Sequence, residues 1–339
     1  MFFALDDDQR EFDAAVRTFL AERFDLDAVR AVVEAPDSDG HPAALWKAAA
    51  DQGWLAVTVP EEHDGLGLGL LEAQVIARAL GAGAAPGPWR GTVLAAEAVR
   101  LAGSDEQRAA WLPRLGSGDA VGAFTLRGSA PGTLPAVEYG AVADVVVAPA
   151  GGGLALVTGA TATPRGSYDG TVRLADVEAD AGEALPGATA GVVADLTARA
   201  TVLVAADLAG TAREALTRTV AYDRDRQQFG VPVGSFQAVK HALADLHVAV
   251  TLAEHAALYA AHAVDAGLDD AALAVAVAKA KASDAAVDAT AAMIQYHGGI
   301  GYTWEHEAHF FYKRAKRLAG QLGSAATHRS RIAELTVGA

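Results

Sequence analysis

The sequence RQQFGVPVGSFQAVK, Arg226–Lys240, lies between two segments with helical character. The charged run Asp223–Arg226 ends the first segment, and the glycine and proline residues after it predict a tight turn. Ser235 is of a residue type preferred at a helix N-cap, so a new helix is predicted to begin after it. An arginine at a helix end beside a tight turn can bind a phosphate or a pyrophosphate. The same arginine can also simply cap the helix, and this stretch alone leaves both interpretations open.

A second glycine-containing block, QYHGGIGY at Gln295–Tyr302, follows later in the chain. Its adjacent glycines can either end a helix or let the backbone approach a ligand where a side chain would clash. In this order and at this separation, the two blocks resemble the carboxy-terminal domain of the acyl-CoA dehydrogenase family, which carries R-x-x-F-G…F-Q and then Q-x-x-G-G-x-G-Y. Towards the amino terminus, Trp46–Leu70 resembles the family's W…G-W…V-P-E-E-x-G-G-L-G segment and Leu5–Leu20 its opening helix. The resemblance therefore covers nearly the whole chain.

The composition limits the classes of function. The chain has 339 residues, of which 52% are hydrophobic and 6% aromatic, and this favours long, closely packed helices. It contains no cysteine, so disulfides, thiolate metal sites and cysteine nucleophiles are excluded. A formal net charge of −15 repels nucleic acid and anionic lipid, so neither is expected as a partner. The amino-terminal sequence lacks the basic start of a signal peptide, and no apolar run reaches membrane-spanning length, so a cytoplasmic location is expected.

The hydrophobic pattern predicts three domains. Helical spacing prevails in residues 1–118, short apolar runs between glycine and proline indicate strands in residues 119–195, and four helical segments fill residues 196–339. The predicted helices are 5–35, 42–52, 71–80, 91–101, 105–115, 196–223, 236–266, 269–296 and 304–318. The predicted strands are 121–125, 142–148, 154–157 and 171–174. This fold class, mostly α with a small β domain, is also what the resemblance implies: an N-terminal helical domain, a β-barrel-like middle domain and a C-terminal four-helix bundle.

The resemblance implies FAD as the cofactor and divides its binding site between two subunits. In the family, the β domain of one subunit holds the flavin ring, and the carboxy-terminal domain of its neighbour holds the pyrophosphate and the adenosine. Arg226 matches the arginine that pairs with the pyrophosphate, and Phe229 matches the aromatic residue beside the adenosine. The other residues matching this half-site are Phe236, Gln237, Gln295, Gly298 and Gly299.

The half-site for the flavin ring is altered in this sequence. Thr125–Gly132 stands where the family carries T-E-P-x-A-G-S-D, and only Thr125 and a displaced Ser129 match it. The family's later W-I/F-T/S strand, which lies against the flavin, has no match before Leu154. The middle domain is therefore expected to be reduced.

The catalytic base of the family has no counterpart in this sequence. The reaction removes the proton α to the thioester while a hydride leaves the β carbon for the flavin, which requires a carboxylate near the α carbon. The two positions at which family members carry this glutamate are Leu322 and Ala200 here, so no catalytic residue is assigned. Arg314 also replaces an aspartate of the family. No metal site is predicted, because His306–His309 is one residue short of the H-E-x-x-H motif.

These features predict a non-catalytic subunit of a heteromeric acyl-CoA dehydrogenase, resembling those of actinobacterial steroid side-chain degradation. The expected partners are a homologous catalytic subunit in an α2β2 assembly, an acyl-CoA substrate and an electron-transfer flavoprotein. Two alternatives stay open. The chain is either a self-sufficient homotetrameric acyl-CoA dehydrogenase with an unrecognised base, or a flavin-free scaffold or binding protein of the same fold.

Overall fold

A computed structural model describes residues 5–338, which contain eleven α-helices and nine short β-strands. The helices are α1 (Asp7–Arg23), α2 (Leu26–Val33), α3 (Ala43–Asp51), α4 (Leu70–Ala82), α5 (Trp89–Ala102), α6 (Asp105–Gly116), α7 (Ala190–Asp225), α8 (Gln237–Asp265), α9 (Ala271–Tyr296), α10 (Ala308–Gly320) and α11 (Ala325–Val337). The strands are β1 (Gly122–Phe124), β2 (Gly132–Glu138), β3 (Val145–Ala150), β4 (Gly153–Val157), β5 (Thr161–Arg165), β6 (Leu174–Ala179), β7 (Glu183–Ala184), β8 (Gln227–Gln228) and β9 (Val231–Pro232).

These elements form two compact units. The first consists of the described residues up to Arg30, of Gln74–Ala85 and of the chain from Thr201 onward; the second consists of Ala31–Ala73 and Pro86–Ala200. The predicted fold class is confirmed: helices dominate, and the sheets lie between helical segments. The predicted domain boundaries at residues 118 and 195 stay predictions. No helix within residues 5–338 is long and apolar enough to cross a membrane.

The second unit contains two small sheets and the helices that pack on them. One sheet has the order β1-β3-β4-β7, in which β1 and β3 are parallel, and the other has the order β2-β6-β5. The first sheet packs on the apolar faces of α5 and α6, where Ala95, Val99 and Leu112 are buried. A second core between strands is built on Leu134, Val146 and Val177.

The structure corrects several predicted elements. The predicted strand 171–174 begins only at Leu174, because Thr171 donates both its amide and its hydroxyl to Asp169 and so closes a turn. The single helix predicted over 5–35 is two helices, because the Asp25 carboxylate accepts the amides at the start of α2. Helix α10 begins at Ala308 instead of 304. Helix α11 and the strands β2, β5, β7, β8 and β9 were not predicted.

Helix α7 is held in the first unit by close backbone contacts and a buried ion pair. A Cβ atom at Gly210 would lie 1.9 Å from the carbonyl oxygen of Arg78, so α4 and α7 approach too closely for any side chain there. The Arg314 guanidinium binds both oxygens of Asp207, at 2.8 and 2.7 Å, and donates to the Ala85 carbonyl. Arg314 and Asp207 are both buried, and together they fasten α10 to α7.

A buried lysine fixes the loop between α10 and α11. Lys279, on α9, donates to the Ser283 hydroxyl and to the carbonyl oxygens of Ala319 and Gly323, at 3.0–3.1 Å. Its side chain is fully buried, and this burial lowers its pKa to about 8. The contacts join α9 to the loop in which Leu322 lies.

The buried ion pair generates a stability prediction. Asp207→Ala leaves the Arg314 guanidinium buried without its carboxylate, so the free energy of unfolding should fall by about 3–5 kcal/mol in a denaturant titration. Glu334→Ala, which breaks the exposed pair with Arg331, is the control and should change stability by less than about 1 kcal/mol. Equal small losses in both variants would show that the Asp207–Arg314 pair contributes little.

Lys279 generates a pH prediction. Because its pKa in the folded chain lies below the value of about 10.4 for an unfolded lysine, the unfolded chain binds more protons between about pH 8 and pH 10. The unfolding free energy of the wild type minus that of Lys279→Met should therefore rise with pH over this range, by about 2–3 kcal/mol. Lys281→Met, at an exposed position of the same helix, controls for the loss of a lysine from α9. A difference that stays constant or falls with pH would contradict the burial of a titrating amine.

Candidate functional site

Arg226 lies directly after the last residue of α7, at the base of a small hairpin. Its amide donates to the Tyr222 carbonyl at 2.8 Å, and its carbonyl accepts the Val233 amide at 2.8 Å. Between these bonds β8 pairs with β9, and the hairpin turns at Phe229 and Gly230, which both have positive φ angles, 52° and 79°. The tight turn predicted from the sequence is confirmed, and it presents Arg226 and Phe229 together.

The hairpin exposes a cation and two aromatic rings. Arg226 is exposed, and among residues 5–338 its guanidinium has no hydrogen-bond or ion-pair partner. Phe229 is 93% exposed, and its ring meets that of Phe236 edge to face at 6.3 Å between centroids. An exposed phenylalanine pair beside an unpaired arginine is unusual for a surface that faces only water, and it suits a ligand or a partner chain.

Other arginines of α7 differ from Arg226 because this chain supplies their carboxylates. Arg213 binds Glu254, and Arg218 binds both Glu214 and Glu307. Arg224, two residues before Arg226, pairs with Asp225 at 3.3 Å. Carboxylates of this chain therefore bind the other guanidinium groups, whereas the Arg226 guanidinium can bind a ligand.

Ser235 does not cap helix α8, which corrects the sequence prediction. Its hydroxyl donates to the Pro232 carbonyl at 2.6 Å and so closes the turn before the helix. The N-cap of α8 is Phe236, which has no side-chain capping bond. Gln237 is the first residue of α8, and its exposed side chain lies beside the hairpin in sequence.

The second sequence block follows the end of α9. Helix α9 ends at Tyr296, and Gly298 has a positive φ of 65°, which a glycine adopts without strain. A Cβ atom at Gly298 or Gly299 would meet no atom of residues 5–338 within 4 Å, so the backbone there faces open space. Gln295 is exposed on the last turn of the helix.

An aromatic stack brings the two blocks to one end of the first unit. The Tyr222 ring, one helical turn before Arg226, stacks on the His297 ring, immediately before Gly298, with 4.3 Å between centroids and a 24° angle between planes. His297 Nδ1 lies 2.7 Å from the Met293 carbonyl oxygen, which orients the ring. Burial lowers the pKa of His297 below its ordinary value, so the stacked ring is favoured in its neutral form.

Sequence reasoning did not identify Tyr222 and His297. Each is adjacent in space to a predicted site residue: Tyr222 lies four positions before Arg226, and His297 directly precedes the glycine pair. A helical spacing of four puts the tyrosine on the same face as Arg226, and this is the signal that could have identified it.

Neither of the two positions predicted for the family's base carries a carboxylate. Ala200 is buried within α7, and Leu322 lies in the loop after α10, where its carbonyl is 2.9 Å from His328 Nε2. Arg199, next to Ala200, is held by Glu97 and Asp195 at 3.0 and 2.9 Å. The arginine side chain is therefore already occupied within its own unit.

The segment Thr125–Gly132 uses its hydroxyl groups internally. The Thr125 hydroxyl accepts the Arg127 amide at 3.0 Å, and the Thr125 amide donates to Val147. The Ser129 hydroxyl lies 3.4 Å from the carbonyl oxygen of Ala130. Gly128 and Gly132 both have positive φ angles, so the segment follows a tight path before β2.

Comparison with known proteins identifies the family. The family model of the acyl-CoA dehydrogenase N-terminal domain matches residues 6–119, and the family model of the acyl-CoA dehydrogenase C-terminal domain matches residues 192–336. Acyl-CoA dehydrogenase IpdE2 of Mycobacterium tuberculosis is 36% identical over 313 residues, 91% of each chain.

Two solved structures are similar in fold over nearly the whole length. The ChsE4-ChsE5 complex from Mycobacterium tuberculosis gives a TM-score of 0.89 at 26% identity over 99% of each chain. The Tcur3481-Tcur3483 steroid ACAD G363A variant gives 0.86 at 27% identity over 98% of each. The chain therefore belongs to the acyl-CoA dehydrogenase family of FAD-dependent oxidoreductases.

Proposed function

We propose that this chain is the non-catalytic subunit of a heteromeric acyl-CoA dehydrogenase and supplies the FAD pyrophosphate and adenosine half-site to a catalytic partner subunit. The observation that carries the proposal is the guanidinium of Arg226, exposed and without a partner in residues 5–338, beside the exposed ring of Phe229. Positions 200 and 322 carry no carboxylate. We therefore assign the binding of part of the cofactor to this chain and the removal of the proton to the partner subunit.

The exposed groups fit the adenosine half of FAD. A pyrophosphate carries two negative charges, and a planar guanidinium can donate two parallel hydrogen bonds to it. The ring of Phe229 offers an apolar face to an adenine, and Gln237 and Gln295 offer amide groups for hydrogen bonds. The open space beside Gly298 and Gly299 lets backbone amides approach the ligand. When bound, FAD supplies the hydride acceptor, while the residues of this chain bind and orient its other half.

The reaction itself requires a base that this chain does not offer at either family position. Removal of the proton α to the thioester needs a carboxylate free to accept it. Glu97, a buried carboxylate near Arg199, is bound by Arg100 at 2.8 Å and by Arg199 at 3.0 Å. Both of its oxygens are therefore occupied by guanidinium groups of this chain, so Glu97 is not favoured as the unrecognised base of a self-sufficient enzyme.

The similar structures support a heteromer and suggest a substrate class. One is the ChsE4-ChsE5 complex, and the other is the Tcur3481-Tcur3483 steroid ACAD. On this basis we propose an α2β2 assembly that acts on an acyl-CoA thioester, with a steroid side-chain thioester as the first substrate to test. An electron-transfer flavoprotein is the proposed acceptor of the electrons.

The Arg226 contact is tested by Arg226→Ala in the complex isolated through a tag on this chain. Charge-assisted hydrogen bonds contribute roughly 1.5–3 kcal/mol, so the dissociation constant for FAD should rise by roughly ten- to a hundredfold. Dehydrogenase activity should fall with it and return in part at high FAD. Arg224→Ala removes an exposed neighbouring arginine and is the matched control, with unchanged FAD affinity. Equal dissociation constants for the wild type and Arg226→Ala would remove the basis of the proposal.

The division of work is tested with the isolated chain. Because it carries Leu322 and Ala200 at the base positions, the purified chain alone should show no acyl-CoA dehydrogenation. Turnover is measured with an artificial electron acceptor on short, long and steroid thioesters, with the complex as the positive control. Robust turnover by the chain alone would establish a self-sufficient enzyme instead.

A further inference from the structure

A buried carboxylate without a partner lies next to the proposed cofactor site. Asp223 is on the last turn of α7, three residues before Arg226, and it is only 1% exposed. Within the described residues 5–338, neither of its carboxylate oxygens has a hydrogen-bond partner. A buried carboxylate normally has one, because an unpaired buried charge is costly. The unpaired carboxylate of Asp223 lies close in sequence to Arg226, which suggests that it has a function in the proposed site.

The turn that follows the hairpin covers Asp223. A Cβ atom at Gly234 would lie 3.1 Å from the Asp223 carbonyl oxygen and 3.5 Å from its Cβ, so the Val231–Ser235 turn packs directly on this residue. The turn contains no ionisable side chain. Asp223 thus packs against the turn that directly follows the hairpin carrying Arg226 and Phe229.

In the part of the chain that the structure describes, no charged side chain pairs with Asp223. On α7, Tyr222 stacks on His297, Arg224 pairs with Asp225, and Arg226 is exposed. The titratable residues of the first turns of α8, Lys240 and His241, are exposed. Burial is the only cause that raises the pKa of Asp223, to about 6.

We propose that Asp223 is a positioning residue of the half-site: protonated, it leaves Arg226 free for the FAD pyrophosphate, and ionised, it draws Arg226 away. The inference rests on the proposed function. Positions i and i+3 are neighbours on a helix, so an ionised Asp223 can attract the Arg226 guanidinium. The same negative charge repels the pyrophosphate. Both effects make FAD bind the protonated form more tightly.

The sign of the pH dependence follows from linkage. Bound pyrophosphate disfavours the ionised carboxylate, so the pKa of Asp223 is higher in the FAD complex than in the free protein. FAD affinity is then greatest below about pH 6 and falls as the pH rises through the two pKa values. A difference of about one pKa unit between the two states corresponds to a tenfold loss of affinity.

The test measures the FAD dissociation constant of the apo complex from about pH 5 to about pH 8. The wild type should lose about tenfold in affinity over this range, while Asp223→Asn should bind with the acid-form affinity throughout, within about twofold. Asp225→Asn removes an exposed carboxylate that lies closer to Arg226 in sequence and is the matched control, with the wild-type profile. Asp223→Thr is a second neutral variant, and thermal unfolding of each variant checks that it is folded.

Two results would overturn the inference. One is a wild-type pH profile in folded Asp223→Asn and Asp223→Thr, and the other is weaker FAD binding than wild type at about pH 5 in both. Arg226→Ala in the same titration shows whether only the role of Asp223 is wrong or the proposed half-site as well. If Arg226→Ala weakens FAD while the Asp223 variants follow the wild type, only the role of Asp223 is wrong. If Arg226→Ala has no effect, the half-site itself is wrong.

Discussion

The buried ion pair between Arg314 and Asp207 is the interaction on which the carboxy-terminal unit depends. It joins α10 to α7 in a setting where an unpaired guanidinium would be costly, and the contact at Gly210 leaves no space for α7 to shift against α4. Because the middle of α7 is fixed, the position of its carboxyl end, about four turns further on, is also fixed. Tyr222 and Asp223 lie at that end, and Arg226 directly follows it. The Arg314–Asp207 ion pair, which has no part in the chemistry, therefore helps to determine where the guanidinium proposed to bind FAD lies.

The middle parts of α7 and of α9 differ from the carboxyl end of α7 in how their charged side chains are paired. Lys279 has three acceptors for its buried ammonium, and the arginines along α7 have carboxylates. After the end of α7, Arg226 and Phe229 are exposed to solvent. After the end of α9, Gly298 and Gly299 border open space. Polar and aromatic groups left in this state are expected where a second molecule completes the site. This combination of features supports the proposal that the chain binds half of a cofactor.

Much of the fold could be predicted from the sequence, because long Ala-, Val- and Leu-rich segments have a clear helical period. The hairpin at Arg226 was also predictable, since Gly230 and Pro232 allow few alternatives. The sequence could not show that Arg314 pairs with the carboxylate of Asp207, because the two residues are 107 positions apart. The sequence also could not show that Asp223 is buried. Within the charged run Asp223–Arg226 it has the pattern of a solvated helix end, whereas in the fold it is 1% exposed and the turn at Gly234 packs against it.

The central claim is that FAD is shared between this chain and a different subunit, and the flavin content of the assembled complex tests it most directly. Flavin absorbance is compared with the amounts of the two subunits, determined separately after denaturing separation. The account predicts about one FAD for each pair of unlike subunits, because only one kind of subunit retains the flavin-ring half-site. One FAD for every subunit, or flavin bound in full amount by this chain alone, would contradict it.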